Sequence, residues 1–480
     1  MIWMLLKIFW RMLMDKILWK GKDVLKIING HGPSNWNASG VSIDSRTIKK
    51  GDIFFALAGP NYDGHQFIGE AIKKGASIVI SNAPVLNHEN KVVVVNDVLK
   101  ALVCLGRSSR ERNKGKIIAV TGSSGKTTVK EMLATSLIGC GRIHYSQSSY
   151  NNKIGVSLSL ARMPSNTDFS IFEVGMNNYG EISYLSKIIK PDIGLINNVG
   201  NAHIKFFKSK KEILKEKLGI INGIKPGGFL VLNENISINK SINNLCEKNN
   251  IELISFGKKD ETKNSLINYK YFPQGSFIEA KINSKPLNFK MFAPGLHMAF
   301  NALAVLSVCD ILNLPLTNIT KKLSNFSPIE GRGLTYDLSF QNKKIQIIDE
   351  SFNANPESMI SSINLLTDID FYKDKRKILI LGDMLELGKF SEEFHIKIAK
   401  FINKTNINLV FCSGKRMKYL WDNLSNDKKG AFAQKPQELI KQLNKKINNE
   451  DILLIKGSSK SKIKIILNYL NEEKLLRNIA

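Results

Sequence analysis

Residues 120–128 form a glycine-rich turn that constrains the fold more than any other part of the chain. They read Val-Thr-Gly-Ser-Ser-Gly-Lys-Thr-Thr and lie between a β-branched run and a helical pattern. Residues 116–120 predict a buried parallel strand, and residues 127–137 predict the helix that it feeds. Glycines at positions 122 and 125 let backbone N–H groups close on phosphate oxygens at the N-terminus of that helix. This order predicts a parallel α/β domain that binds phosphate.

The residues that end the turn supply the remaining chemistry of a phosphate-binding loop. Lys126 places a cation against the outer phosphates, and the Thr127 hydroxyl is positioned to reach Mg²⁺. The full pattern has a further glycine where Val120 stands, so this is the short form Gly-x-x-Gly-Lys-Thr. A structural turn built from the same residue types is the alternative. We interpret the segment as a site for a nucleoside triphosphate.

The length of the chain predicts several domains. At 480 residues it exceeds what one hydrophobic core usually serves, and about three domains are expected. We place them at residues 1–113, 114–327 and 328–480. The five cysteines are scattered and form no Cys-x-x-Cys pair, so neither a disulfide framework nor a zinc site is predicted. A reducing cytoplasm fits this pattern.

The chain is strongly basic, with 69 Lys+Arg against 42 Asp+Glu and a formal net charge of +27. Such a balance can mark a protein that binds nucleic acid. Here the lysines are spread along the chain, and no basic block alternates with aromatic residues. We therefore expect no nucleic-acid partner, and we keep a basic P-loop ATPase acting on nucleic acid as an alternative. Attraction of polyanionic substrates is a milder consequence of the same charge.

Residues 1–14 are apolar except for Lys7 and Arg11, and Asp15 continues the same four-residue spacing. The run is shorter than the roughly 20 apolar residues that span a bilayer. One interpretation is a start codon assigned too early, with Met14 as the true initiator. The other is an amphipathic helix that makes peripheral contact with a membrane. Both stay open, and at most peripheral membrane contact is expected.

Strand and helix patterns alternate through the central and third segments. Residues 169–173 and 193–197 predict parallel strands, whereas residues 249–288 predict short strands and turns in an antiparallel addition. Residues 295–312 predict a helix. The third segment carries four short apolar runs, which predict a doubly wound sheet that binds ligands at the carboxyl ends of its strands. These runs are residues 345–348, 378–381, 409–411 and 452–455.

Three residues of the central segment could do chemistry. Glu173 ends a predicted strand, where a carboxylate beside a phosphate-binding loop is expected to ligate Mg²⁺. His203 also follows a predicted strand, although a lone histidine is more often structural than a ligand. Lys217 belongs to a helical pattern, in which a lysine ordinarily faces solvent.

Polar loops follow three predicted strands of the third segment. They are residues 349–356, residues 382–388 with two carboxylates, and residues 456–460 with two lysines. Each loop alone is a weak signal because Asx turns and helix caps use the same residues. Together, at one edge of one sheet, they predict a binding site.

These motifs, in this order and spacing, resemble the Mur ligases, the ATP-dependent amide-forming enzymes of peptidoglycan assembly. The resemblance covers nearly the whole chain from about Leu18 and is strongest to the branch that adds D-alanyl-D-alanine. Its motifs are residues 44–46, 63–65, 121–132, 151–155, 173, 198–203, 295–301, 331–332, 349–356, 382–388 and 456–458. Met298 stands where the family usually has asparagine. The family implies a small α/β uridine-nucleotide domain, a central P-loop parallel-sheet ATPase domain and a C-terminal Rossmann-like domain.

The resemblance also implies roles for individual residues. Lys126, Glu173, His203, Lys217 and Arg332 would be catalytic, with Thr127, Glu173 and His203 holding two Mg²⁺ ions and Lys217 carbamylated as in several relatives. ATP would contact the loop Gly122, Ser123, Ser124, Gly125, Lys126, Thr127 and Thr128, with His297 and Asn301 on the adenine side and Arg332 on the triphosphate. Substrate contacts would come from Ser45 and Arg46 to the uridine diphosphate, from Asn151 and Asn152 to the sugar-peptide region, and from Asn353 and Asn355.

The implied reaction joins D-alanyl-D-alanine to a UDP-N-acetylmuramoyl-tripeptide through an acyl phosphate, as the last cytoplasmic step of the peptidoglycan nucleotide precursor. A monomer is expected. Another Mur-type or folylpolyglutamate-type ligase is the alternative within the class, although the latter lacks a uridine-binding first domain. A non-catalytic paralogue disagrees with the intact Gly-Lys-Thr-Thr. Whether the third residue of the tripeptide is diaminopimelate or lysine stays open.

Overall fold

The computed structural model describes residues 17–59, 62–236, 240–258, 262–272, 275–368 and 374–477. The hypotheses on residues 1–14 lie outside these ranges. The described chain forms three α/β units in sequence order, each built on its own sheet. Among the described residues, no helix combines the length and apolar character needed to cross a bilayer.

The N-terminal unit is a four-stranded parallel sheet with a small antiparallel pair beside it. The sheet order is β3-β4-β5-β6, and β1 pairs with β2. The β-branched and aromatic residues of β4 and β5 are all buried, as expected for parallel strands covered on both faces. The elements are β1 Trp19–Lys20, α1 Gly21–Ile28, β2 Asn37–Ala38, β3 Gly40–Ser42, β4 Asp52–Phe55, α2 Ile68–Lys73, β5 Ile78–Ser81, β6 Val92–Val94 and α3 Val98–Arg112.

The central unit is a nine-stranded sheet in the order β15-β14-β13-β12-β11-β10-β7-β9-β8. Strands β7 to β12 pair in parallel, and β13, β14 and β15 pair antiparallel. Its strands are β7 Lys116–Thr121, β8 Ile143–Tyr145, β9 Phe169–Glu173, β10 Ile193–Ile196, β11 Gly228–Asn233, β12 Ile251–Gly257, β13 Asn264–Phe272, β14 Gly275–Ile282 and β15 Lys285–Met291. Its helices are α4 Lys126–Leu137, α5 Lys153–Ala161, α6 Glu181–Ile189, α7 Lys210–Leu218, α8 Lys240–Lys248, α9 Leu296–Ile311 and α10 Leu316–Ser324.

The antiparallel addition is confirmed for β13, β14 and β15, whereas β12, which the prediction included, pairs in parallel with β11 and β13. The strands are also longer than predicted. The strands of the hairpin run are seven to nine residues long rather than short. Along β14, buried and half-buried residues alternate, which is typical of a strand with one face on the core. Polar residues within these strands weakened the sequence signal, because a half-exposed strand carries them on its outer face.

The C-terminal unit is a six-stranded sheet in the order β16-β17-β21-β18-β19-β20. All of its neighbouring pairs are parallel except β16 with β17. The four predicted apolar runs are β17, β18, β19 and β21, which confirms the doubly wound sheet. The elements are β16 Leu334–Phe340, β17 Lys343–Glu350, α11 Pro356–Asp368, β18 Lys377–Gly382, α12 Ser391–Asn403, β19 Leu409–Ser413, α13 Met417–Asp422, β20 Lys429–Ala433, α14 Pro436–Lys446, β21 Ile452–Lys456 and α15 Lys464–Arg477.

Strand order decides which loops meet. In the central sheet β7 lies between β9 and β10, so the phosphate-binding turn after β7 is flanked by the residues that end the other two strands. In the C-terminal sheet β17, β21 and β18 are consecutive neighbours, so the three polar loops share one edge. One continuous cluster of buried apolar side chains contains residues of both sheets, including Ile196 and Ile348. This shared core holds the two sheet edges against each other.

A buried histidine makes the C-terminal unit sensitive to acid. His395 is 0% exposed, and burial lowers its pKa to about 4. Its Nδ1 lies 2.6 Å from the carbonyl oxygen of Ser391, and its Nε2 accepts the N–H of Met384 at 3.3 Å. Protonation at Nε2 would remove that acceptor and bury a charge.

We expect the free energy of unfolding to fall as the pH drops from about 6.5 towards 4. In this range the unfolded chain binds a proton at His395, whereas the folded chain does not. The stability lost across this pH range amounts to roughly 3 kcal/mol, and it is fully retained above about pH 6.5. Calorimetric unfolding of wild type and His395→Gln across this range measures it. The variant should start less stable and lose less stability with acid, and identical pH slopes would contradict the assignment.

Candidate functional site

A cavity of about 370 Å³ lies where the central and C-terminal sheets present their loops to each other. Both units contribute to its wall, and most of the contributing side chains are polar. Residues from the central unit include Ser123, Ser124, Gly125, Lys126, Thr127, Thr128, Ser149, Asn151, Glu173, Asn197, Asn198, His203, His297, Met298 and Asn301. Those from the C-terminal unit include Arg332, Glu350, Phe352, Asn353, Asn355, Glu357 and Lys456.

The phosphate-binding turn needs its second glycine. Gly125 precedes α4 with φ of 76°, a left-handed conformation that side chains rarely adopt. A Cβ atom there would lie 2.6 Å from Nδ2 of Asn197 and 2.9 Å from Oδ1 of Asn301. Nδ2 of Asn197 donates to Oδ1 of Asn301 at 2.8 Å, so the amide pair stands against the turn and joins it to α9.

The loop after β10 shapes the other side of the turn. The N–H of Ser124 donates to Oδ1 of Asn198 at 2.8 Å, and the N–H of Ser123 donates to the Asn198 carbonyl at 3.0 Å. The Ser123 hydroxyl also accepts the N–H of Gly200 at 2.8 Å. These bonds fix the turn against the loop after β10 at a helix N-terminus, where the helix dipole favours an anion.

Two cations lie at this turn. Lys126 Nζ donates to the carbonyl of Gly122 at 2.8 Å, and burial lowers the pKa of Lys126, an effect that Glu173 opposes. The guanidinium of Arg332 donates to the Ser149 hydroxyl at 3.2 Å and stacks 4.0 Å from the ring centre of Phe352. The structure therefore brings both predicted cations to one cavity, one from each domain.

The predicted metal residues of the central sheet lie in hydrogen-bond contact. The Thr127 hydroxyl donates to Oε2 of Glu173 at 2.7 Å, and Nδ2 of Asn151 donates to Oε1 at 2.7 Å. Glu173 is 1% exposed. Among the described residues, no group of three or more His, Cys, Asp or Glu could cage a metal. One carboxylate and one hydroxyl beside a phosphate turn fit Mg²⁺, which is typically held by few protein oxygens together with phosphates.

His203 contacts the C-terminal domain rather than Glu173. Its Nδ1 lies 2.6 Å from Oε2 of Glu386, and this contact holds the pKa of Glu386 below its ordinary value. A second contact joins the loop of His203 to the C-terminal domain, because the backbone and side-chain N–H groups of Asn201 donate to Oε1 of Glu357, in the first turn of α11, at 2.9 and 2.6 Å.

The expectation that Lys217 faces solvent is wrong. The residue is 1% exposed on α7, because Ile213, Glu216 and Lys217 share the helix face that packs inward. Its Nζ lies 3.8 Å from the sulfur of Met176. Burial, assisted by the positive charge of Lys126, lowers the pKa of Lys217 well below its ordinary value. A neutral amine in this position is a nucleophile.

The two residues expected near adenine lie on the first turns of α9. His297 and Asn301 both line the cavity, and burial lowers the pKa of His297. Met298, which replaces the usual asparagine, is 3% exposed, with its sulfur 3.9 Å from Nδ2 of Asn301. A thioether thus contacts Asn301 from within the helix.

The C-terminal loops meet as predicted, but not all their polar groups face the cavity. Lys456 is 2% exposed and donates to Oε2 of Glu350 and to the carbonyl of Asn353, both at 3.1 Å. Oδ1 of Asn355 accepts the N–H of Ser358 at 2.9 Å and so caps the start of α11. Asp383 accepts the N–H of Met417 at 2.8 Å, so this carboxylate supports a loop.

The remaining predicted substrate residues lie towards the N-terminal unit. The Ser45 hydroxyl donates to Glu70 at 2.8 Å, whereas Arg46 is paired with Asp44 at 2.7 Å and is exposed. Neither Ser45 nor Arg46 is part of the central cavity. Asn152 caps α5 by accepting the N–H of Gly155 at 2.9 Å.

Sequence reasoning missed several residues of the cavity. Asn197, Ser149 and Glu357 were not predicted, and Glu350 was included only as part of the polar loop 349–356; each bonds to a predicted site residue or its loop. The signal for Glu350 was its position at the end of β17, and the signal for Glu357 was a carboxylate in the first turn of α11. The position of Ser149 in a loop offered no comparable signal.

Three family models match the chain in order. They are described as "Mur ligase family, catalytic domain" at residues 37–109, "Mur ligase middle domain" at residues 120–309 and "Mur ligase, glutamate ligase domain" at residues 338–459. Together they match most of the chain.

Relatives of known name match over nearly their whole length. A UDP-N-acetylmuramoyl-tripeptide--D-alanyl-D-alanine ligase of Rickettsia prowazekii is 33% identical, covering 94% of this chain and 100% of the relative. A ligase of the same name from Buchnera aphidicola subsp. Baizongia pistaciae is 34% identical, covering 90% and 92%. The crystal structure of MurF from Acinetobacter baumannii superposes with a TM-score of 0.83 at 26% identity, covering 95% of this chain and 99% of the other. With this fold and these relatives, the chain belongs to the Mur ligase family.

Proposed function

We propose that the protein is an ATP-dependent ligase that joins D-alanyl-D-alanine to UDP-N-acetylmuramoyl-tripeptide. The observation that carries the proposal is the cavity to which the central domain contributes the phosphate-binding turn and the C-terminal domain contributes Arg332, Asn353 and Lys456. The named relatives, matched over nearly their full length, carry out this ligation according to their names.

In this proposal the tripeptide carboxylate attacks the γ-phosphoryl group of ATP and forms an acyl phosphate with release of ADP. The amine of D-alanyl-D-alanine then attacks the acyl carbon, and inorganic phosphate leaves as the amide forms. A carboxylate and a triphosphate repel each other. Lys126 and Arg332, from two domains, supply positive charge at the point where the two anions meet. Both are half-buried, which strengthens their attraction for phosphate oxygens.

Mg²⁺ is the cofactor that fits the oxygens of this site, and two ions are proposed. Thr127 and Glu173 would hold one, and His203 the second; bound Mg²⁺ would neutralise phosphate charge. Asn151 keeps the Glu173 carboxylate in place through its 2.7 Å hydrogen bond. The protein would also hold ATP itself. The turn at residues 122–128 would bind the phosphates, and His297 and Asn301 would lie towards adenine.

A carbamate on Lys217 is the second element of the proposal. A neutral amine adds to CO₂ and loses a proton, which turns a buried lysine into an anion. Its low pKa supplies the neutral amine, and the nearby charge of Lys126 favours the anion that forms. The modification would therefore place an anion near the positive charge of Lys126, where a neutral amine stood before.

The N-terminal domain is assigned to the UDP-sugar end of the substrate. Ser45 and Arg46 would contact the uridine diphosphate, while Asn151 and Asn152 would face the sugar-peptide region and Asn353 and Asn355 the incoming dipeptide. We propose domain boundaries near residues 113 and 327 and a monomeric protein. We also propose a cytoplasmic location, which fits the five free cysteines. The reaction belongs to peptidoglycan synthesis.

The experiment is an assay of ADP release with ATP and Mg²⁺. UDP-N-acetylmuramoyl-tripeptides carrying diaminopimelate or lysine at the third position are supplied, with and without D-alanyl-D-alanine. We expect dipeptide-dependent phosphate release and a pentapeptide product identified by mass spectrometry. ATP hydrolysis stimulated by DNA or RNA, with no pentapeptide product, would overturn the proposal and favour a nucleic-acid ATPase.

A further inference from the structure

Lys130 is a buried lysine on α4, one helical turn after Lys126. Its side chain is 0% exposed, and lysines are rarely buried to this extent unless their charge is paired. Its Nζ donates to the carbonyl oxygens of Ser146 at 2.6 Å and Ser148 at 2.9 Å, and it lies 2.8 Å from Oε1 of Glu131. No step of the proposed ligation uses this side chain, so its burial needs another explanation.

The two carbonyl groups belong to one tight bend of the chain. Ser146 is held by the central sheet, because its N–H donates to the carbonyl of Ile171 in β9 at 3.1 Å. Ser148 has φ of 48°, a left-handed conformation that costs free energy in any residue other than glycine and persists only where the surroundings impose it. The two bonds from Lys130 therefore tie a strained residue to one that the sheet already fixes.

The loop at residues 146–151 contacts two groups of the candidate site. The Ser149 hydroxyl accepts a hydrogen bond from the guanidinium of Arg332 at 3.2 Å. Nδ2 of Asn151 donates to Oε1 of Glu173 at 2.7 Å. One short loop thus orients a cation from the C-terminal domain and a carboxylate at the end of β9.

We propose that Lys130 is a positioning residue for ligation, which fixes the loop at residues 146–151 so that Ser149 and Asn151 hold Arg332 and Glu173 in their working places. This inference rests on the proposed function, since it takes Arg332 and Glu173 to act on ATP. Its consequence is that α4 does more than receive phosphate at its N-terminus. One turn further along, the same helix sets the geometry of the groups that face the phosphates.

The C-terminal domain provides a matched control. Lys428 is also buried, and its Nζ donates to the carbonyl oxygens of Thr405 and Ile407, both at 2.8 Å. None of these three residues lines the cavity. Replacing Lys428 or Lys130 by methionine therefore removes a pair of lysine–carbonyl bonds in each case. Only the change at Lys130 acts on the loop beside the site.

The first test measures the order of the loop without turnover, in full-length protein without nucleotide or metal. The N–H of Asn151 donates to the carbonyl of Ser149 at 2.8 Å, so its hydrogen exchange reports opening of the loop. We expect Lys130→Met to raise exchange of residues 146–152 about tenfold or more, and Lys428→Met to leave it within about twofold. Both variants should lose similar thermal stability, because each leaves two buried carbonyl groups without a donor.

Lys130→Gln is the second variant, because it keeps an N–H₂ donor and is still testable if the methionine variant does not fold. It should raise exchange of the loop by less than Lys130→Met does. Exchange of residues 146–152 that stays at the wild-type rate in the folded Lys130 variants would overturn the proposal.

The second test separates kcat from KM in the ligation assay. We expect Lys130→Met to lower kcat about 10²-fold, because small displacements of groups around the reacting atoms carry large losses, and to change KM for ATP by less than about threefold. The phosphate-binding turn and Lys126 do not depend on the loop, so ATP still binds. Lys428→Met should retain the wild-type kcat. An equal loss of kcat in both methionine variants, or a loss confined to KM for ATP, would contradict the positioning role.

A double-mutant cycle then tests the route. Ser149→Ala and Asn151→Ala together remove both side-chain contacts between the loop and the site. In that background Lys130→Met should lower kcat by less than about threefold, because the loop no longer orients either group. The full loss of kcat in that background would show that Lys130 acts by another route, and the proposal would fall.

Failure of this inference and failure of the proposed function are distinguishable. A protein that makes no pentapeptide, but whose loop exchange rises in Lys130→Met, refutes the proposed function and supports the role of Lys130 in fixing the loop. A protein that makes pentapeptide with the same kcat in wild type and in Lys130→Met refutes only the positioning role.

Discussion

Replacing Lys126 with alanine is expected to lower kcat/KM for ligation by about 10³-fold. Lys126 Nζ lies 2.8 Å from the carbonyl of Gly122, at the mouth of the phosphate-binding turn. When a triphosphate occupies the turn, a phosphate oxygen replaces that carbonyl and forms a charge-assisted bond. Negative charge on the ADP leaving group grows during phosphoryl transfer. The loss of the lysine charge should therefore lower kcat as well as raise KM.

The measurement is steady-state ADP release with both substrates, combined with ATP affinity by calorimetry. Lys116→Ala is the matched control, since Lys116 is the exposed residue at the opposite end of β7 and the change removes the same charge. It should retain activity within about twofold, because an exposed side chain there has no contact with the turn. Near-normal turnover in Lys126→Ala would remove the phosphate-binding turn from the mechanism.

Replacing Lys217 with alanine should lower activity by about 10²-fold, in the way that loss of a group supporting a metal site does. The reason is its burial: the side chain is 1% exposed, and its amine has a pKa well below the ordinary value. A carbamate placed there would supply an anion that alanine cannot. Added formate or acetate should enter the space left by the side chain and restore part of the activity.

Lys215→Ala is the control for this prediction, because Lys215 lies on the same helix and is exposed. It should behave as wild type with and without added carboxylic acid. Carbon-13 NMR of wild-type protein in labelled bicarbonate should show a carbamate signal that is absent from Lys217→Ala. A variant that chloride and acetate restore equally, or a wild type without the carbamate signal, would contradict the carbamate.

Local pattern was sufficient for the secondary structure that carries the chemistry. The strand predicted at residues 116–120 extends only one residue further as β7, and the helix predicted at residues 127–137 begins one residue earlier as α4. Glycine, lysine and threonine at fixed spacing encode this turn through backbone geometry alone. The four apolar runs of the C-terminal sheet were equally clear, since buried parallel strands are apolar on both faces.

Only some of the site residues could be predicted from local sequence pattern. Glu173 and Asn198 could be found from the sequence, because the first ends a strand and the second follows one, both next to a recognisable turn. Lys217 was named only through the family resemblance, and its burial could not be found from local pattern, because the face of α7 that carries it also carries Glu216, and charged residues on a helix normally indicate solvent. Its burial follows from how α7 packs, which is a property of distant segments.

The amino-acid order alone decides where the phosphate-binding turn forms and which segments become buried strands, since both depend on neighbours within a few residues. It does not decide that β10 lies beside β7, nor that the loops after β10 and β18 meet. Those contacts join residues such as His203 and Glu386, far apart along the chain, and arise only when two sheets share one buried core. The turn is therefore determined by local sequence, whereas the contacts between side chains around it are determined by the tertiary structure.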